Sequence, residues 1–308
     1  MWFRNLVVYR AAGWQLPADQ LEQALARRPL AACGAMDMDS RGWVAPKGEG
    51  APLVHRADGR MLIALGVEQK LLPASVIKQY ARERAAEIEE QQGFRPGRKQ
   101  LREIRERVTE ELLPRAFVRR RTTHAWIDPA GGWLAVDAAN MAKADELLEV
   151  LRKTVDDLPL ALVKTQLSPG GAMTGWLAAD EPPGGFTIDR DCEMLAPGEE
   201  KATVRYVRHP LEPEQVRAHI EDGKQVTKLA LTWNERISFV LHENFQVKRL
   251  TFLDLLKEQA ESQAESADEL FDGNFAIMSG ELARFLPDLV EALGGEQPAS
   301  PLPQPLSR

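Results

Sequence analysis

The sequence predicts an α+β fold of antiparallel sheets from which a charged helical hairpin projects, and three observations carry that prediction. Short apolar runs flank tight-turn signals, as at Asp58-Gly59 and across residues 128–132, and such turns join strands locally rather than through helical crossovers. A long Ala/Glu/Arg-rich stretch broken only at Gly93, Pro96 and Gly97 reads as two consecutive helices. Three more β-like runs near 225–233, 236–242 and 245–252 read as an antiparallel meander.

Length and composition set the frame. At 308 residues, with 44% hydrophobic and 28% charged residues, the chain has the make-up of a globular protein of about two domains or one elaborated domain. Its two cysteines, Cys33 and Cys192, are far apart and form no metal-type pair, so both are expected as free thiols in a reducing compartment. Charges interrupt the apolar run at the amino terminus before it could serve as a signal-peptide core, and no apolar segment approaches the roughly 20 residues of a membrane-spanning helix. A cytoplasmic, nucleoid-associated protein with no membrane contact is the expectation.

In order, residues 2–10 read as a first strand, and Pro17 opens a helix carrying Leu21, Ala24, Leu25 and Arg28 at helical spacing. The stretch Asp37-Met38-Asp39-Ser40-Arg41-Gly42 reads as a turn. Residues 53–67 hold the hairpin around Asp58-Gly59. From about Pro73 the two charged helices run to Gln92 and then to Leu113, with Ile77, Tyr80, Ala81, Ile88, Leu101, Ile104 and Val108 supplying one narrow apolar seam. After Pro114 the chain extends through Ile127, turns, and returns through Trp133 to Val136. Asn140 then caps a helix with Ala144, Leu147, Leu148, Leu151 and Val155 on its apolar face. Residues 158–163 read as a short strand, and residues 166–200 are punctuated by Pro and Gly, with one short helix around Trp176. A strand over 203–207, a helix over 213–222 stopped by Gly223, and the meander follow. The carboxyl-terminal part reads as an acidic helical stretch, a short strand at Phe275-Ala276-Ile277-Met278, and an amphipathic helix through Leu282, Phe285, Leu286, Leu289 and Leu293. The expected organisation is a central α+β region of 1–72 plus 115–165, a helical tip of 73–114, a second α+β region of 166–296, and a disordered tail of 297–308.

Charge is unevenly distributed. Residues 76–123 hold 13 Lys and Arg against 8 Glu and no Asp, a balance of +5 in a chain of −7, which leaves −12 for the remainder. Clustered cations of this kind suit a polyanion partner, although arginines on long helices also form solvated faces paired with glutamates at i,i+4.

Catalytic templates do not fit. The glycine-rich Pro169-Gly170-Gly171-Ala172-Met173-Thr174-Gly175 lacks the Gly-Lys-Ser/Thr ending of a phosphate loop. The turn at 37–42 puts Arg41 at a calcium-ligand position, and His55, His124, His209, His219 and His242 lack paired zinc spacing. Asp156-Asp157 and Asp189-Arg190-Asp191 are explained as well by capping and turns. No enzyme, cofactor or metal is expected, with a nuclease using dispersed carboxylates as one alternative and a protein-only adaptor as another.

Several blocks in order along the chain carry a resemblance. They include Trp2-Phe3-Arg4-Asn5-Leu6-Val7-Val8-Tyr9-Arg10, Gly42-Trp43-Val44-Ala45-Pro46, Leu112-Leu113-Pro114-Arg115-Ala116-Phe117, Trp126-Ile127-Asp128, Gly223-Lys224-Gln225-Val226-Thr227-Lys228-Leu229-Ala230-Leu231-Thr232-Trp233, and Glu291-Ala292-Leu293-Gly294-Gly295. Together they resemble the bacterial recombination-associated RdgC family. The resemblance implies a non-enzymatic protein that forms a closed ring dimer around duplex DNA, binds without marked sequence preference, and restrains RecA-mediated strand exchange. Double-stranded DNA is then the expected partner, single-stranded DNA a further candidate, and a second copy the other partner. The expected DNA-binding residues are Arg115, Arg119, Arg120 and Arg121, Lys224 and Lys228 at even strand spacing, and Lys248 and Arg249. Phe117, between Arg115 and Arg119, is expected either in the local core or as a dimer contact, with Arg208 and His209 at a second contact.

Overall fold

A computed structural model describes residues 1–198, 201–262 and 264–297, so the expected tail lies almost wholly outside the described residues. The strands are β1 (Val7–Arg10), β2 (Asp39–Val44), β3 (His55–Ala57), β4 (Arg60–Leu71), β5 (Phe117–Asp128), β6 (Trp133–Val136), β7 (Ala161–Leu162), β8 (Phe186–Leu195), β9 (Thr203–Tyr206), β10 (Gln225–Trp233), β11 (Ile237–His242) and β12 (Val247–Phe252). The helices are α1 (Ala18–Leu25), α2 (Ala74–Gln92), α3 (Arg98–Leu112), α4 (Met141–Arg152), α5 (Pro169–Ala179), α6 (Pro213–Glu221), α7 (Asp254–Glu261) and α8 (Ala267–Ala292). The α+β class with antiparallel sheets is as the sequence predicts.

The first sheet runs β2-β4-β5-β6-β1-β7, with β3 also on β4, and the second runs β12-β11-β10-β8-β9. Local turn chemistry builds both. Asp58 and Gly59 take positive φ between β3 and β4, and the Asn140 side chain accepts a hydrogen bond from the Lys143 amide at 3.0 Å to start α4.

Alternation along the first sheet divides two cores. The cross-strand row Ile63, Ala125, Val136 and Val7 faces α1 and α4, where Leu21, Leu25, Leu147, Leu148 and Leu151 close a cluster. The adjacent row Leu62, Trp126, Ala135 and Val8 faces the other way, into a cluster shared with the second sheet and α8. Phe285 of α8 lies edge-on to Phe239 at 4.9 Å and to Trp233 at 5.7 Å, while Trp126 donates its indole N–H to Ser279 at 2.7 Å. Thus α8 is held between the two sheets.

That position explains one departure from expectation: Phe275-Ala276-Ile277-Met278 is an interior turn of α8, not a strand. A helix covered on opposite sides shows no one-sided apolar stripe, so its period is hard to read. Ser266 caps its start, accepting from the Glu269 amide at 3.2 Å, and the helix continues through Pro287.

Three strands also differ. β1 begins only at Val7, because the preceding residues pair elsewhere: Leu6 and Val247 exchange backbone hydrogen bonds, and the Leu250 amide donates to the Arg4 carbonyl. This short bridge joins the two sheets. Residues 39–44 form β2 rather than a turn, with Gly42 needed because a Cβ there would stand 2.4 Å from the Pro29–Leu30 backbone. The punctuated stretch 166–200 contains the ten-residue strand β8 as well as α5.

Helices α2 and α3 lie between the paired ends of β4 and β5, where Leu71 stands opposite Phe117. Ala81, Ile104 and Val108 are buried between them beside Ile77, Ala85, Ile88 and Leu112, a small seam separate from both larger cores. Tyr80, expected in the seam, is exposed. Gly93, with φ +76°, ends α2 in the left-handed conformation that costs glycine least.

Candidate nucleic-acid interface

The basic run after Pro114 does not form one surface. Residues on an extended strand alternate sides, and the register opposes Arg119 to Gln69, Arg120 to Glu68 and Arg121 to Val67. Arg120 therefore points away from Arg119 and Arg121. Arg121 reaches Glu146 of α4 at 2.6 Å, and Arg120 reaches the buried Glu68 at 2.5 Å. The Cys33 amide, and then Arg120, hold the Glu68 carboxyl below its ordinary range. Arg115 and Arg119 remain exposed, with no ion pair among the described residues.

On α2 and α3 the arginines divide in the same way. Arg84, Arg95 and Arg102 pair with Glu87 or Glu111, with Glu89 and with Glu106, at 2.9–3.5 Å. Exposed pairs of this type contribute about 1 kcal/mol or less and leave little net field. Lys78, Arg82 and Arg105 instead line a shallow groove beside the seam.

Phe117 is 84% exposed, which removes the core reading for it. Exposed Leu71 and Val118 lie next to it in the β4–β5 ladder, so an apolar corner sits where the helices join the sheet. Behind that corner Lys70 is buried, its ammonium donating to the carbonyls of Ala35 at 2.6 Å and Leu113 at 3.0 Å.

The second sheet carries more organised chemistry on the face turned from α8. Direct cross-strand pairing places Arg205, Glu193, Lys228 and His242 in one row. Burial would raise the Glu193 carboxyl, but Lys228 at 2.6 Å, together with Arg205, outweighs it and holds the group low. Burial, then the charges of Lys248 and Lys228, depress His242 to about 4, so it is neutral near pH 7. Lys248 donates to the Ala139 carbonyl, and burial lowers its pKa. The expected shared face of Lys224 and Lys228 does not exist: Lys224 precedes β10 and pairs with Asp222 at 3.3 Å, and a register shift between Val226 and Lys228 breaks the even spacing.

Beside this row, two irregularities face each other. In β8, Asp189, Arg190 and Asp191 stand opposite the single Ala230, and in β12, Arg249 and Leu250 stand opposite the single Phe239. Extra residues of this kind bend a strand and re-aim side chains. Asp191 links the surrounding parts: one carboxylate oxygen accepts the Arg208 amide at 2.7 Å, and the other meets the Arg249 guanidinium at 2.8 Å. The Arg208 amide first, then Arg249, keep Asp191 below its usual range and so charged. Both arginines have positive φ, 50° and 51°, a conformation that non-glycine residues adopt when their surroundings impose it.

The result is an open groove of about 960 Å³ that reaches from the bulges to the amino-terminal segment. Arg4, Arg190, Arg208, Arg249 and Lys257 line it against Asp189 and Asp191, an excess of three positive charges in a chain of −7. The sequence singles out Arg249 as an expected DNA contact and Arg208 as an expected dimer contact, and gives no sign that Arg4, Arg190 and Lys257 line the same groove. His209 stays exposed beside the groove's end, its ring 5.9 Å from Tyr206.

The family model described as "Putative exonuclease, RdgC" matches residues 1–296. The chain belongs to the RdgC family. Similar family members are the recombination-associated protein RdgC of Dechloromonas aromatica, 57% identical over 96% of this chain and 98% of that protein, and its namesake in Cupriavidus necator, 54% identical over 97% and 100%. The namesake in Herminiimonas arsenicoxydans is 53% identical over 96% of this chain and 99% of its own length. These names attach the family to recombination and state no enzymatic activity. Among the described residues no group of three His, Cys, Asp or Glu is arranged to hold a metal ion, and no helix is long and apolar enough to cross a membrane.

Proposed function

We propose that this RdgC-family protein binds DNA without sequence preference, encircles duplex as a closed homodimer in the nucleoid, and restrains RecA by occupying the DNA. The observation that carries the reading is the groove's cationic excess within an acidic chain. Lys and Arg that neutralise phosphates release condensed counterions, and that gain requires no base contact. Arg115 and Arg119 at the base of α3 extend the candidate surface, with 73–114 as the tip of each protomer and the regions 1–72 plus 115–165 and 166–296 as its body. Phe117 at the apolar corner is the proposed dimer contact, because exposed aromatic residues ringed by charge suit interface centres. Arg208 and His209 are placed at the second contact.

The nuclease alternative is less favoured. Asp191 is committed to Arg208 and Arg249, and Asp189 accepts the Thr232 hydroxyl at 2.9 Å, so neither carboxylate of the groove stands free. The test is affinity for duplexes of natural and scrambled sequence across a salt series, with magnesium present in a parallel arm. Log affinity is expected to fall linearly with log salt, alike for both sequences, with the DNA intact. A flat response, marked preference for one short sequence, or magnesium-dependent cleavage would refute the reading.

A further inference from the structure

We propose that the groove between α2 and α3 docks an acidic amphipathic helix of a partner protein, its carboxylates meeting Lys78, Arg82 and Arg105 while its apolar face rests on the alanines of α2. This surface is separate from the groove of the second sheet and takes a different class of partner.

The two helices make an unfinished bundle. Between them only Ala81, Ile104 and Val108 are buried, beside partly buried Ile77, Ala85, Ile88 and Leu112. Helices of a bundle close a core by packing on two neighbours, whereas the main packing partner of α2 is α3 alone. Spacing then builds the groove. Lys78, Arg82, Ala85, Ala86 and Glu89 share one stripe of α2, and Leu101 and Arg105, one turn apart on α3, line the same opening of about 420 Å³. The stripe from 78 to 89 covers about 16 Å of helix, roughly three turns, and a helix of that length fills it. Alanine permits the approach, because interaxial distances fall to about 8 Å where the contacting side chains are small.

Charge sets the sign of the partner. Four cations line the groove against the single carboxylate of Glu89, which Arg95 already holds at 3.1 Å. Lys78, Arg82 and Arg105 form no ion pair among the described residues, unlike Arg84 and Arg102 on the same two helices. Long basic side chains lay their methylenes along apolar surface and keep their charge at the rim, so the groove is apolar in its floor and cationic at its edges. A sugar-phosphate backbone would satisfy the edges and bring nothing apolar to Ala81, Ala85 and Leu101. A helix with carboxylates flanking an apolar stripe satisfies both.

The probe is a synthetic peptide of about three helical turns, stapled to hold its helix, with leucines on one stripe and glutamates on both flanks. Its fluorescence anisotropy is read on the full chain, against a peptide of the same composition in scrambled order. It is also read on Ala86→Trp, which fills the groove from an exposed position, and on Arg82→Glu combined with Arg105→Glu. Wild type is expected to bind the striped peptide about tenfold more tightly than the scrambled one. Ala86→Trp should abolish that preference with duplex affinity and self-association unchanged, and the charge-reversed variant should prefer a striped peptide carrying lysine in place of glutamate. Equal affinity of wild type for striped and scrambled peptides overturns the proposal, and that comparison requires no variant to fold. Unaltered binding of the striped peptide by both variants overturns it as well. So does weakened duplex affinity in Ala86→Trp, which would give the groove to DNA, or lost self-association in sedimentation, which would give it to a second copy.

Discussion

Replacing Arg4 and Arg190 together with Ala removes two groove cations that form no ion pair among the described residues, so no partner carboxylate is left stranded. Arg249→Ala would be less clean, because it also frees an oxygen of Asp191. If each lost arginine was one phosphate contact, the slope of log affinity against log salt becomes shallower by about 0.9 per contact on B-DNA. Over a fourfold rise from about 50 to about 200 mM salt, one contact corresponds to roughly 3.5-fold in affinity and two to roughly 12-fold. The double variant should therefore lose most at low salt, with its deficit narrowing by about 12-fold at the upper end of that range. The assay is anisotropy of a random-sequence duplex across the salt series, with thermal melting alongside. Parallel lines for wild type and variant, whatever their vertical offset, would refute the assignment of these arginines to phosphates.

Phe117→Ser should leave the melting temperature unchanged, since the ring is 84% exposed, while weakening self-association in sedimentation and retention on closed circular DNA. A large fall in melting temperature would contradict the exposure, and unchanged association and retention would remove Phe117 from the interface. Burial lowers His124 and His242 from 6.5 to about 4, so as pH falls the unfolded chain takes up their protons first. Their contribution is complete above about pH 6.5 and is lost progressively down to about pH 4; double replacement by Gln should flatten melting temperature across that window, and an unaltered profile would contradict the assignment. Burial also pushes the Cys192 thiol up to about 12, whereas Cys33 is partly exposed. Alkylation near pH 8 should label Cys33 alone in the native protein and both thiols in denaturant, read by mass spectrometry; rapid native labelling of Cys192 would contradict its burial.

Features governed by neighbours in sequence were legible. Asp58-Gly59, the Asn140 cap, the break between α2 and α3, and the meander after Gly223 each follow from a few adjacent residues. Features governed by long-range packing were not. Asp189-Arg190-Asp191 interrupts the alternation that would have marked β8, and α8 loses its one-sided stripe by sitting between sheets. The groove is further from reach, because it gathers residues 2–4, 189–191, 208 and 249–252, which no linear motif connects. The pairing of Arg120 with Glu68 and Arg121 with Glu146 likewise depends on register, and composition shows only that arginines are plentiful there. One usable signal was present: an Asp-Arg-Asp triplet inside an otherwise strand-like run marks a bulge as readily as a turn.

The placement of α2 and α3 has a mechanical consequence. They hang from the open end of an eleven-pair ladder between β4 and β5, which runs from Leu71 opposite Phe117 to Met61 opposite Ile127. A tug on the helices loads that ladder like a zipper, one rung at a time, rather than shearing all rungs at once. The outermost rung, Leu71 with Phe117, is exposed and the innermost are buried, so resistance climbs inward. Lys70, bonded to the carbonyls of Ala35 and Leu113, acts as a rivet one rung from the end. Force applied at the helices is thereby spent at the rim, and the tryptophan-rich interior is insulated from it.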